Sequence, residues 1–140
     1  MRGTKWKLGA AVVATGWALT GCGGPLKYAV HGSPKAPEID ATIVADVNKD
    51  GVFTSLKVDI DHLAPPDRLG SGGKVFVVWA KDDKGKWQRV GALRYDGDGR
   101  KASIAGASAP ITAFDMKITI ESDAAPEGPS GDTLVGQHIN

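Results

Sequence analysis

The sequence predicts an all-β fold, a small antiparallel β-sandwich of immunoglobulin-like type with seven or eight strands. Three observations lead to this prediction. Apolar residues recur at every second position through most of the chain from Glu38 onward, which is the period of half-buried strands. Runs of Asn, Asp, Gly and Pro, which favour turns, separate these segments. The length of 140 residues suits one domain of ordinary size.

The N-terminus predicts a cleaved lipoprotein signal peptide over residues 1–21. Its basic head comprises Arg2, Lys5 and Lys7. The apolar stretch that follows has roughly 12 residues, whereas a helix that spans a bilayer needs about 20. The closing run Leu19-Thr20-Gly21-Cys22 resembles the lipobox of bacterial lipoproteins, in which the Cys thiol receives a diacylglycerol and becomes the new N-terminus. The resemblance implies that Cys22 is the lipidation site, which carries acyl chains such as palmitate.

Such an anchor predicts an extracytoplasmic protein held on a membrane, because two or three acyl chains bind stably where one does not. Gly23 follows the cysteine, in place of the Asp associated with retention in the inner membrane of Gram-negative cells. We therefore expect the outer membrane in a Gram-negative cell, and the outer face of the plasma membrane in a Gram-positive one.

Residues 22–37 predict a lipidated Cys and a flexible tether, since Gly and Pro are frequent there. Leu26, Tyr28 and Val30 alternate within it, as in a short docked strand. Residues 38–140 predict the sandwich domain itself.

The first strands of this domain predict a hairpin. One face of the leading strand carries Ile39, Ala41, Ile43, Ala45 and Val47. The turn residues 48–51 follow, because Asn, Asp and Gly tolerate positive φ at low cost. The same face of the return strand carries Val52, Thr54, Leu56, Val58 and Ile60.

The remaining strands are predicted from similar patterns. Residues 75–80 are apolar at every position, which indicates a strand covered on both faces, with Trp79 buried. Turns at 82–85 and 96–99 bound strands at 87–95 and 101–104. Residues 114–121 alternate again, and a last strand at 133–138 follows a loop rich in Pro and Gly.

The charge balance argues against nucleic acid as a partner. The 17 basic and 16 acidic residues nearly cancel, and three of the basic ones lie in the first seven positions. The rest of the chain is therefore slightly acidic and lacks the clustered positive field that binds phosphate backbones.

No motif predicts a metal or a cofactor. Residues 46–51 match the first six positions of a calcium loop, but the position of its bidentate Glu falls on Lys57, so a hairpin turn is the better interpretation. None of the three histidines has a partner at a metal-ligand spacing. They are His31, His62 and His138.

Catalysis is not predicted either, because the chain has no Gly-x-Ser-x-Gly and its one thiol is expected to be acylated. We expect no enzyme and no catalytic residue. The alternative is a metal-binding or enzymatic lipoprotein whose site assembles from residues distant in sequence. Its members would be Asp59, Asp61, His62 and Asp96.

Trp87 and Arg89 are the candidate contacts for a partner, such as an envelope protein. Trp87 begins a strand among basic residues, and an aromatic side chain beside Arg is a common composition of protein-contact anchors. The other interpretation, a Trp that covers a sheet edge, remains open.

Five short segments resemble the extracytoplasmic C-terminal domain of anti-sigma-K factors. In order they are Lys74-Val75-Phe76-Val77-Val78-Trp79, Gly91-Ala92-Leu93, Ala113-Phe114, Ile118-Thr119-Ile120-Glu121 and Pro129-Ser130-Gly131. The resemblance covers residues 38–138 and implies a β-sandwich in an extracytoplasmic setting. The chain shows no helical module or transmembrane helix of the kind those proteins use to reach a sigma factor, so anti-sigma activity is not implied.

The sequence as a whole predicts a lipid-anchored, non-catalytic binding or structural module of the bacterial envelope. A second alternative, an accessory of an anti-sigma-factor signalling system, depends on the family resemblance alone.

Overall fold

A computed structural model describes residues 24–70 and 72–140, and this part of the chain forms nine strands and one short helix. The strands are β1 (Leu26–His31), β2 (Asp40–Asn48), β3 (Phe53–Asp61), β4 (Val75–Lys81), β5 (Gln88–Ala92), β6 (Arg94–Asp96), β7 (Lys101–Ala109), β8 (Phe114–Glu121) and β9 (Thr133–Ile139), and the helix is α1 (Pro66–Leu69). None of the described residues belongs to a helix long and apolar enough to cross a membrane. The predicted signal peptide and Cys22 lie outside the described residues.

The strands form two antiparallel sheets, which confirms the predicted sandwich, although the described residues form nine strands and not seven or eight. Sheet A has the order β1-β2-β3-β7-β6, and sheet B has the order β5-β4-β8-β9. The alternation read from the sequence explains the core, since every second residue is buried from Ala41 to Ala45 in β2 and from Thr54 to Ile60 in β3. The inner faces of the two sheets meet through Ile43, Leu56, Val58 and Ile60 from sheet A and Phe76, Val78, Met116 and Ile118 from sheet B.

The sandwich begins earlier than the composition suggested. Residues 26–31 lie inside the predicted tether but pair with β2 as strand β1, from Leu26 opposite Ala45 to His31 opposite Asp40. The alternation of Leu26, Tyr28 and Val30 drives this pairing, since these three side chains pack against the core. The sandwich therefore includes residues 26–31, which precede Glu38.

The strand predicted at 87–95 is two strands in different sheets. β5 pairs with β4 in sheet B, whereas β6 pairs with β7 in sheet A. Leu93 lies between them, is buried, and donates its backbone N–H to the Phe76 carbonyl at 2.8 Å. One continuous segment thus joins the two sheets.

The two ends of the sandwich carry different turns and chain termini. We call one of them the near end; according to the strand pairing, it holds the start of β1, the β2–β3 turn, the β4–β5 turn and the C-terminus. At the far end lie the β3–β4 connection and the β6–β7 turn. There the Tyr95 hydroxyl donates to the Leu63 carbonyl at 2.7 Å, and the Tyr95 ring packs 5.7 Å from that of Phe76.

The β2–β3 turn contains a strained residue. Val52 has φ 55°, in the left-handed region where the β-branched side chain is costly. The preceding turn is regular, because Asn48 Oδ1 accepts the Gly51 N–H at 2.7 Å. The strain is therefore confined to Val52.

We expect Val52→Asn to raise the free energy of unfolding by about 1 kcal/mol, because Asn adopts positive φ at lower cost. Urea unfolding of the purified protein measures the change. Val44→Asn, the same replacement at an extended, half-buried position of β2, serves as the control and should not stabilise. A loss of stability for Val52→Asn would contradict the assignment of strain.

Candidate functional site

A buried carboxylate organises the outer face of sheet B. Glu121 ends β8 and is only 2% exposed. Its oxygens accept the Ser130 hydroxyl at 2.6 Å, the Ser130 N–H at 3.1 Å and the Gly131 N–H at 3.2 Å. A buried charge is tolerated when its hydrogen-bonding capacity is used in this way.

The same carboxylate is connected to Trp79. The indole Nε1 of Trp79 donates to Thr119 Oγ1 at 2.8 Å, and that hydroxyl donates to Glu121 Oε2 at 2.5 Å. Trp79 is fully buried, which confirms the prediction of its burial. It lies outside the cluster between the sheets, however, because its strand neighbours Val78 and Ala80 take the inner positions.

Residues 122–132, the cover loop, account for this burial. Ser130 and Gly131 hold the loop to β8 through Glu121, and Arg89 Nε of β5 donates to the Ala124 carbonyl at 2.6 Å. Since β4 lies between β5 and β8, a loop held at both must cross the outer face of β4. Trp79 lies on that outer face, and we infer that the loop shields it from solvent.

The hydrogen bonds also set the charge of Glu121. Burial alone would raise the pKa of this carboxyl, but hydrogen bonds from the side chains of Ser130 and Thr119 and from the N–H groups of Gly131 and Ser130 outweigh burial, and the pKa is lowered. Glu121 is therefore a carboxylate that accepts from several donors at once. Its arrangement suits a structural anion better than a proton-transfer group.

Trp87, one of the two predicted partner contacts, lies beside two lysines. Lys117 Nζ lies 4.4 Å and Lys81 Nζ 4.9 Å from the centroid of its ring, within the range of cation–π attraction. Trp87 is half-buried. Together these three residues form what we call the Trp87 surface, on the outer face of sheet B beside the cover loop.

Arg89, the other predicted contact, is exposed, but its Nε is used to hold the cover loop. The local sequence around Trp87 did not predict Lys117, which the pairing of β4 with β8 brings near. Glu121 was also missed. The available signal was β4 itself, because a strand apolar on both faces needs a cover, and Thr119 and Glu121 occupy the outer face of its neighbour.

The alternative site from the sequence is brought together only in part. Asp59, Asp61 and Asp96 line one open cleft of about 450 Å³ on sheet A, together with Lys101 and Arg94. Lys101 Nζ lies 3.6 Å from Asp61 Oδ1, so cations occupy the same cleft as the acids. Within residues 24–70 and 72–140, no three His, Cys, Asp or Glu residues are placed to hold a metal ion.

His62 does not line that cleft and contacts Asp40, the cross-strand partner of Asp61. Its Nδ1 lies 3.1 Å from Asp40 Oδ2, and His31 Nδ1 lies 3.2 Å from Asp40 Oδ1. The side chains of His31 and His62 are 86% and 67% exposed, so this is a solvated surface cluster. The third histidine, His138, lies 2.7 Å from Asp115 Oδ1.

Comparisons of the chain with protein-family models, with curated proteins and with solved structures found no match. The resemblance to anti-sigma-K factors therefore stays a prediction. Three of the segments that carry it meet in the structure, since Trp79, Thr119–Glu121 and Ser130–Gly131 form one hydrogen-bonded chain.

We expect Glu121→Gln to lower the free energy of unfolding by about 2 kcal/mol at pH 7, because its amide NH₂ would face groups that donate to the native carboxylate. The lowered pKa of Glu121 adds a pH dependence. Its contribution is complete above the ordinary Glu pKa of 4.5 and is lost as the pH falls through the lower folded pKa.

Urea unfolding at several pH values below 7 measures both effects. Wild type should lose stability more steeply than Glu121→Gln as the pH falls below about 4.5. Glu127→Gln, at an exposed glutamate of the same loop, is the control and should behave as wild type. Parallel pH profiles for wild type and Glu121→Gln would contradict the assigned role.

Proposed function

We propose that this chain is a lipid-anchored, extracytoplasmic β-sandwich of the bacterial envelope that serves as a binding or structural module and not as an enzyme. The observation that carries the proposal is the order of basic head, apolar stretch and Leu19-Thr20-Gly21-Cys22 at the N-terminus. The cysteine of this pattern is the single one in the chain.

The start of the sandwich fits an anchor at Cys22. Four peptide links join Cys22 to Leu26, and they span at most about 14 Å. An acylated Cys22 would thus hold the domain directly on the membrane surface. That membrane is the outer membrane if the cell is Gram-negative and the plasma membrane if it is Gram-positive.

The polar groups of the domain support a module more than an enzyme. Glu121 is used to hold the cover loop, and His31 and His62 share one exposed carboxylate, that of Asp40. The cleft that holds Asp59, Asp61 and Asp96 is shared with two cations, which favours local charge balance over a metal site.

The Trp87 surface supports a binding role. It joins a half-buried indole to Lys81 and Lys117 on a rigid sheet, and such a combination suits a partner that presents acidic groups. We therefore propose an envelope protein with an acidic patch as the partner. An accessory role in anti-sigma signalling is supported by the resemblance alone.

The anchor is tested by Cys22→Ser. We expect this variant to incorporate no labelled palmitate and to leave the membrane fraction or remain as an uncleaved precursor, because it lacks the acyl acceptor. Wild type in the same cells is the matched control. Palmitate label on the variant would contradict the proposal.

The partner surface is tested by crosslinking in intact envelopes. An adduct formed by wild type should be reduced about tenfold by Trp87→Ala, as expected when an anchor worth about 1.4 kcal/mol or more is removed. Lys57→Gln, on the opposite sheet, is the control and should keep the adduct. An adduct unchanged by Trp87→Ala would remove the Trp87 surface from the proposal.

A further inference from the structure

The near end of the sandwich carries two exposed apolar side chains. Val52 is 58% and Phe53 is 36% exposed, and they are the exposed large hydrophobic residues of the described part of the chain. They are adjacent and occupy the tip of the β2–β3 hairpin, residues 49–53, which we call the hairpin tip. Adjacent apolar side chains on a protruding turn are a surface that water solvates poorly.

The chain that precedes the sandwich joins it at the same end. Leu26 pairs with Ala45, and β2 continues from Ala45 toward the hairpin tip. Gly24 and Leu26 line one cavity of about 440 Å³ together with Val47 and Lys49 of that hairpin. The N-terminal chain therefore enters the domain beside the hairpin tip.

The short length of chain between Cys22 and Leu26 determines which surface the near end faces. With at most about 14 Å between Cys22 and Leu26, an acylated Cys22 holds the start of β1 at the membrane surface. The nine-residue strands β2 and β3 are about 30 Å long, so the far end lies well away from the lipid. The hairpin tip is then the apolar feature that faces the bilayer.

The backbone conformation of the hairpin tip supports the same conclusion. Val52 occupies a left-handed position, at φ 55°, where Asn or Gly would be less strained. A strained residue persists when something else requires it. Here the requirement would be an apolar side chain at the tip, next to the cation of Lys49.

We propose that the hairpin tip inserts Val52 and Phe53 into the interface of the bilayer that holds the lipid anchor. This second contact fixes the orientation of the sandwich, with the near end on the lipid and the far end outward. The inference depends on the proposed anchor at Cys22. Its occupant is lipid, because Val52 and Phe53 are exposed and apolar and the proposed acyl chains would be covalently tied beside them.

The test measures the depth of two labelled positions in the full-length, processed lipoprotein. Asp50→Cys places a fluorophore in the hairpin tip without removing Val52 or Phe53, and Asp98→Cys places it in the β6–β7 turn at the far end. Both aspartates are exposed turn residues. In an acylated protein the Cys22 sulfur is a thioether, so that a maleimide label reaches only the introduced thiol.

The protein is reconstituted in vesicles of phosphatidylethanolamine and phosphatidylglycerol that contain lipids with a nitroxide on the acyl chain. We expect about threefold stronger quenching at position 50 than at position 98, because an inserted tip lies within about 10 Å of the acyl boundary. Adding Val52→Asn and Phe53→Ser to the tip-labelled protein should reduce its quenching to the level of the far-end label. Val52→Asn alone should reduce the quenching in part. This variant should unfold at a urea concentration no lower than that of wild type, so that the loss of quenching would report lost lipid contact and not unfolding.

Other results would overturn the inference. Equal quenching at both positions in an acylated protein removes the tip contact and leaves the anchor intact. Protection of the tip label from aqueous iodide without quenching by lipid nitroxide would indicate that a second copy of the chain covers the tip instead. Reaction of maleimide with the parent chain, which carries no introduced cysteine, would reveal a free Cys22 thiol and overturn both the anchor and the inference.

Discussion

The architecture of sheet B depends on one buried anion. A carboxylate at Glu121, 2% exposed, could not be kept charged without donors, because desolvation costs several kcal/mol. The donors come from Thr119 on the same strand and from Ser130 and Gly131 in the cover loop. Meeting this requirement fixes the path of residues 122–132. That path allows β4 to be apolar on both faces, since the loop covers the face that the other sheet does not reach.

Local patterns in the sequence were sufficient to predict most strands and the sandwich. β3 and β8 alternate cleanly, and an alternating face needs only one partner sheet to become a core. The break at Leu93 was not predictable in this way. Whether residues 88–96 form one strand or two depends on which distant strands they pair with, and the composition of the segment is compatible with either. β7 was predicted too short for a similar reason, because Ala, Gly and Ser fill residues 105–109 and give no apolar alternation.

Local sequence patterns were likewise insufficient to predict how the candidate sites are assembled. Trp87 and Arg89 stood out by their neighbours in sequence, but Lys117 reaches Trp87 through the pairing of β4 with β8. Asp59 and Asp61 were named as members of one alternative site, and they do line one cleft. His62 does not line that cleft; its backbone has φ 61°, and its imidazole contacts Asp40, the cross-strand partner of Asp61. Strand register and a single positive φ, neither visible in one sequence, decide these outcomes.

The position of β1 has a mechanical consequence. It is the edge strand of sheet A, and its first residue lies at the end where the chain leaves toward Cys22. If a membrane anchor pulled on the chain before β1 while the domain was held at its far end, the force would act on β1 along its own axis. The bonds between β1 and β2 run perpendicular to the strands, so such a pull loads all six residue pairs of the ladder together, in shear. A chain that left from the opposite end of β1 would instead be peeled away one pair at a time, at a much smaller force.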